Sequence, residues 1–300
     1  MLLKSMNRSV RRAVICAIGL VLAAVAAGLS GVAPPLWPGG TVNAASAGTQ
    51  AVGPPLKTFP LFARNASTGK LRAYEPLGTG GLKPAFEMGG GFGDATALFQ
   101  ANVSEGGRAN DLYHRAGGTL YYTAEHGNDT KVIGGGWDIY DTIVSVGNMG
   151  GTADPDILGR DASGNLWYYQ GRPDGSFAPR LRAGTGWGGM TLAGRGDYTG
   201  DGKADLLARS TDGTLYVYPG TGVATADAVL GPRTTVGTGW QAYKTLVSAG
   251  DTNGDGKTDL IAVDTAGALW LFKGTGNAAA PFAARAQIGT SGWAAFDVLF

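Results

Sequence analysis

The chain has 300 residues, enough for one or two domains with a sizeable core, and 52 of them are glycine. Glycine at well over twice its usual share of about 7% excludes a mostly helical protein, and charged residues at 16% beside hydrophobic residues at 44% exclude a charge-rich disordered one. The formal net charge is +1, but Lys4, Arg8, Arg11 and Arg12 stand apart at one end. The remainder carries 20 basic against 23 acidic residues, a net of −3, which excludes the basic stripe that nucleic-acid binding requires.

In chain order, the basic cluster in residues 1–12 leads into an uncharged apolar run over 13–29. Pro34, Pro35 and Pro38 then break the chain, and Ala44-Ala45-Ser46-Ala47 offers a small-residue cleavage site. This pattern predicts a secretory signal peptide over residues 1–47, with Ala33 as the alternative cleavage point, and a linker over 48–58. The Arg11-Arg12 pair admits a twin-arginine export route. An uncleaved anchor is the other reading of the apolar run; no later segment is apolar enough to span a membrane. Cys16, the single cysteine, falls inside this leader, so the exported chain is expected to be stable without a disulfide.

From residue 59 onward the sequence repeats. The first copy reads Leu61-Phe62-Ala63-Arg64, a turn at Thr68-Gly69, then Leu71-Arg72-Ala73-Tyr74. The second is Asp111-Leu112-Tyr113-His114-Arg115, Gly117-Gly118 and Leu120-Tyr121-Tyr122; the third is Asp156-Ile157-Leu158-Gly159-Arg160, Ser163-Gly164 and Leu166-Trp167-Tyr168-Tyr169. The fourth and fifth are Leu206-Leu207-Ala208-Arg209 with Leu215-Tyr216-Val217-Tyr218, and Leu260-Ile261-Ala262-Val263 with Leu269-Trp270-Leu271-Phe272. An aromatic landmark keeps step at Phe92, Trp137, Trp187, Trp240 and Trp293. Four short strands per copy, apolar on both faces, predict an all-β propeller of five four-stranded blades over residues 59–300. An open sandwich of short strands is the competing architecture. The last segment, Phe296 to Phe300, is the strand type that the first copy lacks, so it is expected to pair into the first blade and close the ring.

Two loops carry a distinct chemistry. Asp197-x-Thr199-x-Asp201-Gly202-Lys203-x-Asp205 and Asp251-x-Asn253-x-Asp255-Gly256-Lys257-x-Asp259 set oxygen donors at positions 1, 3, 5 and 9, with the position 7 carbonyl of Lys203 or Lys257 as a further donor. Hard oxygen ligands on a glycine-hinged loop predict Ca²⁺. Ala208 and Ala262 stand where an EF-hand needs glutamate, so these are loops between strands. The metal-free alternative is a loop of Asx-turns. The third copy keeps Asn148, Asp154 and Asp156, either a weak metal site or a hydrogen-bonded turn.

These loops and the landmarks, notably the run from Trp240 through Leu246-Val247-Ser248-Ala249-Gly250-Asp251 to Leu260, with Phe92-Gly93 and Trp187-Gly188, resemble the FG-GAP or VCBS repeat of integrin-α-like β-propellers. The resemblance implies a secreted propeller with Ca²⁺ between the first two strands of a blade. It departs from that family in having five copies rather than seven blades; in count and repeat length the chain is similar to tachylectin-type lectins.

Catalytic signatures are sparse. There is no Gly-x-Ser-x-Gly elbow and no His-Glu-x-x-His, and the two histidines are His114 in a strand and His126 in a loop. The expectation is a secreted, non-catalytic binding module for extracellular glycan or a cell-surface protein, with a hydrolase acting on polysaccharide as the alternative. Trp137, Trp187, Trp240 and Trp293 are candidates to stack on sugar rings; packing between blades is the other role for a once-per-blade aromatic. The oligomeric state stays open.

Overall fold

Leu206–Ala208 and Leu260–Val263, in second strands of their blades, are apolar in both phases, and the reason lies in how the sheets are stacked. The computed structural model describes residues 58–104, 111–125 and 130–300. The leader (1–47), the linker up to residue 57, Cys16 and His126 lie outside the described residues. Described are twenty strands in five antiparallel four-stranded sheets, with no α-helix among the described residues. No helix among them is long and apolar enough to cross a membrane.

Blade I is built from β1 (Leu61–Asn65), β2 (Leu71–Tyr74) and β3 (Phe86–Gly89), with β20 (Phe296–Leu299) added beside β1. Blade II holds β4 (Ala97–Ala101), β5 (Asp111–Ala116), β6 (Thr119–Thr123) and β7 (Thr130–Gly134). Blade III holds β8 (Tyr140–Gly147), β9 (Asp156–Asp161), β10 (Leu166–Tyr169) and β11 (Leu181–Gly184). Blade IV runs through β12 (Thr191–Ala193), β13 (Leu206–Arg209), β14 (Leu215–Tyr218) and β15 (Thr234–Gly237). Blade V runs through β16 (Tyr243–Val247), β17 (Leu260–Asp264), β18 (Leu269–Phe272) and β19 (Ala286–Gly289). The expected closure is present: β20 pairs antiparallel with β1, and Phe62 and Phe300 exchange backbone hydrogen bonds of 2.9 and 3.0 Å.

Each seam between blades has its own apolar cluster, and neighbouring residues of one strand feed opposite seams. In β17, Leu260 and Ala262 pack towards blade IV, while Ile261 and Val263 pack towards blade I. In β13, Leu206 and Ala208 face blade III and Leu207 faces blade V. A strand with period-two side chains and a neighbour on both faces must be apolar throughout, and each such Leu or Ile contributes roughly 1.5–3 kcal/mol on burial.

The innermost strands β4, β8, β12, β16 and β20 surround a narrow axial channel of about 250 Å³. At one end it widens into a depression of about 800 Å³, rimmed by the loops that follow β8, β12 and β16.

Candidate functional site

The loops at the wide end of the channel are built on one recurring device. Asp205, fully buried, accepts hydrogen bonds at Oδ2 from Tyr198 N (2.8 Å) and Thr199 N (2.9 Å), and at Oδ1 from Gly220 N (3.1 Å). Asp259 does the same with Thr252 N, Asn253 N and Gly274 N, and Asp156 with Met149 N, Gly150 N and Gly171 N. In blade II, Asp111 holds Val103 N, Ser104 N and Glu125 N. Burial pushes both Asp205 and Asp259 up to about 6 in spite of these donors. Ninth-position aspartate therefore anchors the loop to the third strand's exit. The third strand comes close enough because Gly220 has no side chain: a Cβ there would sit 2.1 Å from the Ala204 carbonyl.

The other loop residues divide by blade. In blade V, Asp251 Oδ1 accepts from Gly254 N and Asp255 N, and Oδ2 accepts from Gly256 N. Asn253 turns its amide nitrogen to Asp259, at 3.0 Å from Oδ1, which leaves its oxygen pointing elsewhere. Asp255 accepts from Lys257 N, and its charge is near enough to raise Asp259 further. In blade IV, Asp197 takes Gly200 N and Gly202 N, Thr199 Oγ1 lies 3.4 Å from Asp197 Oδ1, and Asp201 pairs with Lys203 Nζ at 3.1 Å. The donor chemistry, all oxygen on a glycine-hinged loop, fits a hard divalent cation. The convergence expected of four side-chain donors is not reached, because the ninth-position carboxylates are turned to backbone N–H groups; among the described residues no three acidic or His side chains gather as a metal group. In the third loop, Asn148 Oδ1 accepts from Gly151 N as an Asx-turn and Asp156 is the anchor, while burial raises the carboxyl of Asp154. The hydrogen-bonded turn describes that loop.

The four tryptophans sit in the seams. Trp137, Trp187, Trp240 and Trp293 are only 6–8% exposed. The backbone N–H of each donates to the hairpin glycine of the preceding blade: Gly118, Gly164, Gly213 and Gly267 in turn. Their rings lie 4.6–4.8 Å from Tyr169, Tyr218, Phe272 and Tyr74 respectively. Buried to that degree and packed on a neighbouring ring, they serve as contacts between blades. The half-exposed rings Trp167, Tyr216 and Trp270 are covered as well, each by a guanidinium 4.0–4.1 Å away, from Arg180, Arg233 and Arg285.

A second device recurs in four of the five blades. Arg115 Nη1 donates to Trp137 O (2.7 Å) and Tyr140 O (2.6 Å) of the next blade, and Nε to Thr96 Oγ1 of its own. Arg64 reaches Phe92 O and Ala95 O, Arg160 reaches Trp187 O and Met190 O, and Arg209 reaches Trp240 O and Tyr243 O. At the fifth seam the position is Val263, buried against Trp293 and Phe296. The visible signal was an arginine closing the second strand in four copies out of five.

Residues 151–208 and 197–262 match the model of the FG-GAP-like repeat. These stretches cover the fourth and fifth aspartate loops and the third from residue 151 onward. No curated protein matches the chain. Among solved structures, the Photorhabdus luminescens Tc holotoxin pore with the TccC3-D651A mutation is similar over 78% of this chain and 12% of its own, at 15% identity and a TM-score of 0.41. A Dos1 propeller is similar over 77% of this chain and 56% of its own, at 9% identity and a TM-score of 0.33. The chain thus spans less than two thirds of either.

Proposed function

We propose, from FG-GAP-like repeats carried on a closed five-bladed propeller, that the protein is a secreted, non-catalytic module that binds extracellular carbohydrate or another cell-surface ligand. The observation that carries this reading is the axial depression of about 800 Å³, whose wall is made of the fourth- and fifth-copy aspartate loops, including Asp197, Lys203 and Lys257. Concave sites of this size at a loop-lined mouth are where small ligands are held.

In this reading Ca²⁺ would be held by Asp251, Asn253, Asp255 and the Lys257 carbonyl in one loop, and by Asp197, Thr199, Asp201 and the Lys203 carbonyl in the other. Its contribution would be charge neutralisation and a fixed loop shape. Asp205 and Asp259 would act beneath the ion as anchors. The fifth-copy loop is the stronger candidate, because Asp255 is not tied to a lysine side chain while Asp201 is.

The test is retention of the purified chain on a glycan array and on cell-wall fractions, in millimolar calcium and in EDTA. Saturable retention that weakens in EDTA is the expected result. No retention under either condition, or release of soluble product from polysaccharide, overturns it; retention by a protein fraction alone moves the reading to protein adhesion.

A further inference from the structure

Ten residues before each anchoring aspartate the inner strands leave the channel at Ala101, Val146, Arg195 and Ala249. Three of these are small or apolar. The fourth is an arginine with φ of +70°, a left-handed conformation that a side chain makes costly. Arg195 reaches across the propeller axis: Nη2 donates to Ser248 O of blade V at 2.7 Å and Nη1 to Gln100 O of blade II at 3.4 Å. The guanidinium also lies 4.2 Å from the ring of Phe59, where the chain enters blade I. It lines both the narrow channel and the wide depression, so it stands at the boundary between them.

Such a group is expensive to keep there. Arg195 is 7% exposed, and among the described residues no carboxylate pairs with it. A guanidinium carries five N–H donors, and the carbonyls of Gln100 and Ser248 occupy two of them. Burial lowers its pKa only to about 10, so it stays cationic at neutral pH. A buried charge without a counter-charge is normally selected against unless something else pairs with it. Two further polar atoms of the same wall lack partners among the described residues: Ser145 Oγ, on a residue 5% exposed, and Asn102 Oδ1. On the rim, Lys257 has no ion pair among the described residues.

We propose that Arg195 is the anion-recognition residue of a ligand site at the channel mouth, and that the site takes a carboxylate-bearing sugar. A carboxylate meets the free edge of the guanidinium with charge-assisted hydrogen bonds. Sugar hydroxyls next to it satisfy Ser145 Oγ and donate to Asn102 Oδ1, which a bare anion or an acidic peptide side chain leaves unmet. The proposal rests on the binding-module reading and narrows it: the sugar is acidic, and it binds on the axis rather than on the seam tryptophans.

The test is calorimetric titration of the full chain with glucuronate, glucose, acetate and N-acetylglutamate at low ionic strength. Expected is saturable binding of glucuronate, with glucose and acetate at least tenfold weaker, and a loss of at least tenfold in Arg195→Gln. The exposed-pair variant Arg182→Gln is expected to bind as the parent does. If Arg195→Gln does not fold, Ser145→Ala and Lys257→Gln carry the test, each weakening glucuronate binding severalfold. Unchanged glucuronate binding in the variants overturns the proposal, as does equal binding of acetate, or tighter binding of N-acetylglutamate. Retention of neutral glycans alone on the array, with no glucuronate binding here, sinks the acidic-sugar site and leaves the binding module standing.

Discussion

Arg64 in the first strand grips Asp297 in the last with two parallel hydrogen bonds, Nε to Oδ1 at 3.0 Å and Nη2 to Oδ2 at 2.7 Å, joining residues 233 positions apart. The pair ties the ends of the ring, but the strand pairing beneath it does more. Asp297 is 40% exposed, so Asp297→Ala should cost only about 0.2–1 kcal/mol. Deleting residues 294–300 removes β20 and its seam contacts, and the cooperative melting transition should disappear in calorimetry. Arg64 holds the Asp297 carboxyl below the usual range, so this pair's contribution is complete above about pH 4 and fades as acid protonates the folded carboxylate. A truncated chain that melts as sharply as the parent would show that closure is dispensable.

The arginine clamps predict a different ranking. Arg115 is 7% exposed and serves two carbonyls of the next blade, so Arg115→Met leaves buried acceptors unmet. Loss of hydrogen bonds from a charged donor costs about 1.5–3 kcal/mol. Chemical denaturation should show Arg115→Met well below the parent, and Arg182→Met, which loses only an exposed pair with Asp227, nearly equal to it.

Blade number, strand positions and ring closure were legible because each follows from local pattern. Leu260 to Val263 can be apolar in both phases only with blades on both sides, and Phe296 to Phe300 is the strand missing from the first copy. The site was less legible. Asp205 reads as a ninth ligand by spacing, yet one of its donors is Gly220, fifteen residues on, and that approach depends on the path of the third strand. The tryptophans repeat once per blade whether they face solvent or a seam, so periodicity could not choose; burial did. Arg195 did leave a signal, since it alone carries charge where the other copies have Ala101, Val146 and Ala249, but its meaning required the axis to be known.

His114 should make stability fall in mild acid. Its ring stacks on Tyr121 with centroids 4.8 Å apart, meets Phe92 edge-on at 5.5 Å, and has no partner for Nδ1 among the described residues. Burial lowers its pKa, and the charge of Asp94 opposes this only in part. The folded state therefore binds fewer protons than the unfolded one. The contribution is complete above the unfolded value of about 6.5 and is lost as pH falls below it towards the folded value. Between about pH 8 and pH 5 the parent should lose stability relative to His114→Phe, the opposing gain from the raised Asp205 and Asp259 carboxyls being common to both; an unchanged difference between the two melting curves would remove His114 from the account.

Calcium should stabilise the chain if the aspartate loops hold it. An ion that binds only the folded state adds about 2.7 kcal/mol per site at a hundredfold excess over its dissociation constant. The melting temperature should rise from EDTA to millimolar calcium, and Asp251→Ala should remove more of the rise than Asp201→Ala, because Asp201 is already paired with Lys203. Identical curves in EDTA and calcium would assign both loops to hydrogen-bonded turns.

The aspartate loops are also where neighbouring blades interlock, and glycine makes the fit. Gly200 has φ of +83°, and a Cβ on it would lie 2.1 Å from the Gly276 carbonyl of blade V. Gly254 repeats the contact one blade on, against the Gly78 carbonyl of blade I at 2.8 Å. Left-handed backbone alone costs a substituted residue about 1–2 kcal/mol, and here the added carbon also pushes on backbone that cannot rotate away. Gly200→Ala should destabilise by more than that figure, and by more than Gly202→Ala, whose φ is similar at +84° but whose Cβ would meet open space. The difference between the two variants isolates the interblade clash from the strain. If they lose equal stability, the loops do not touch their neighbours as closely as these distances state.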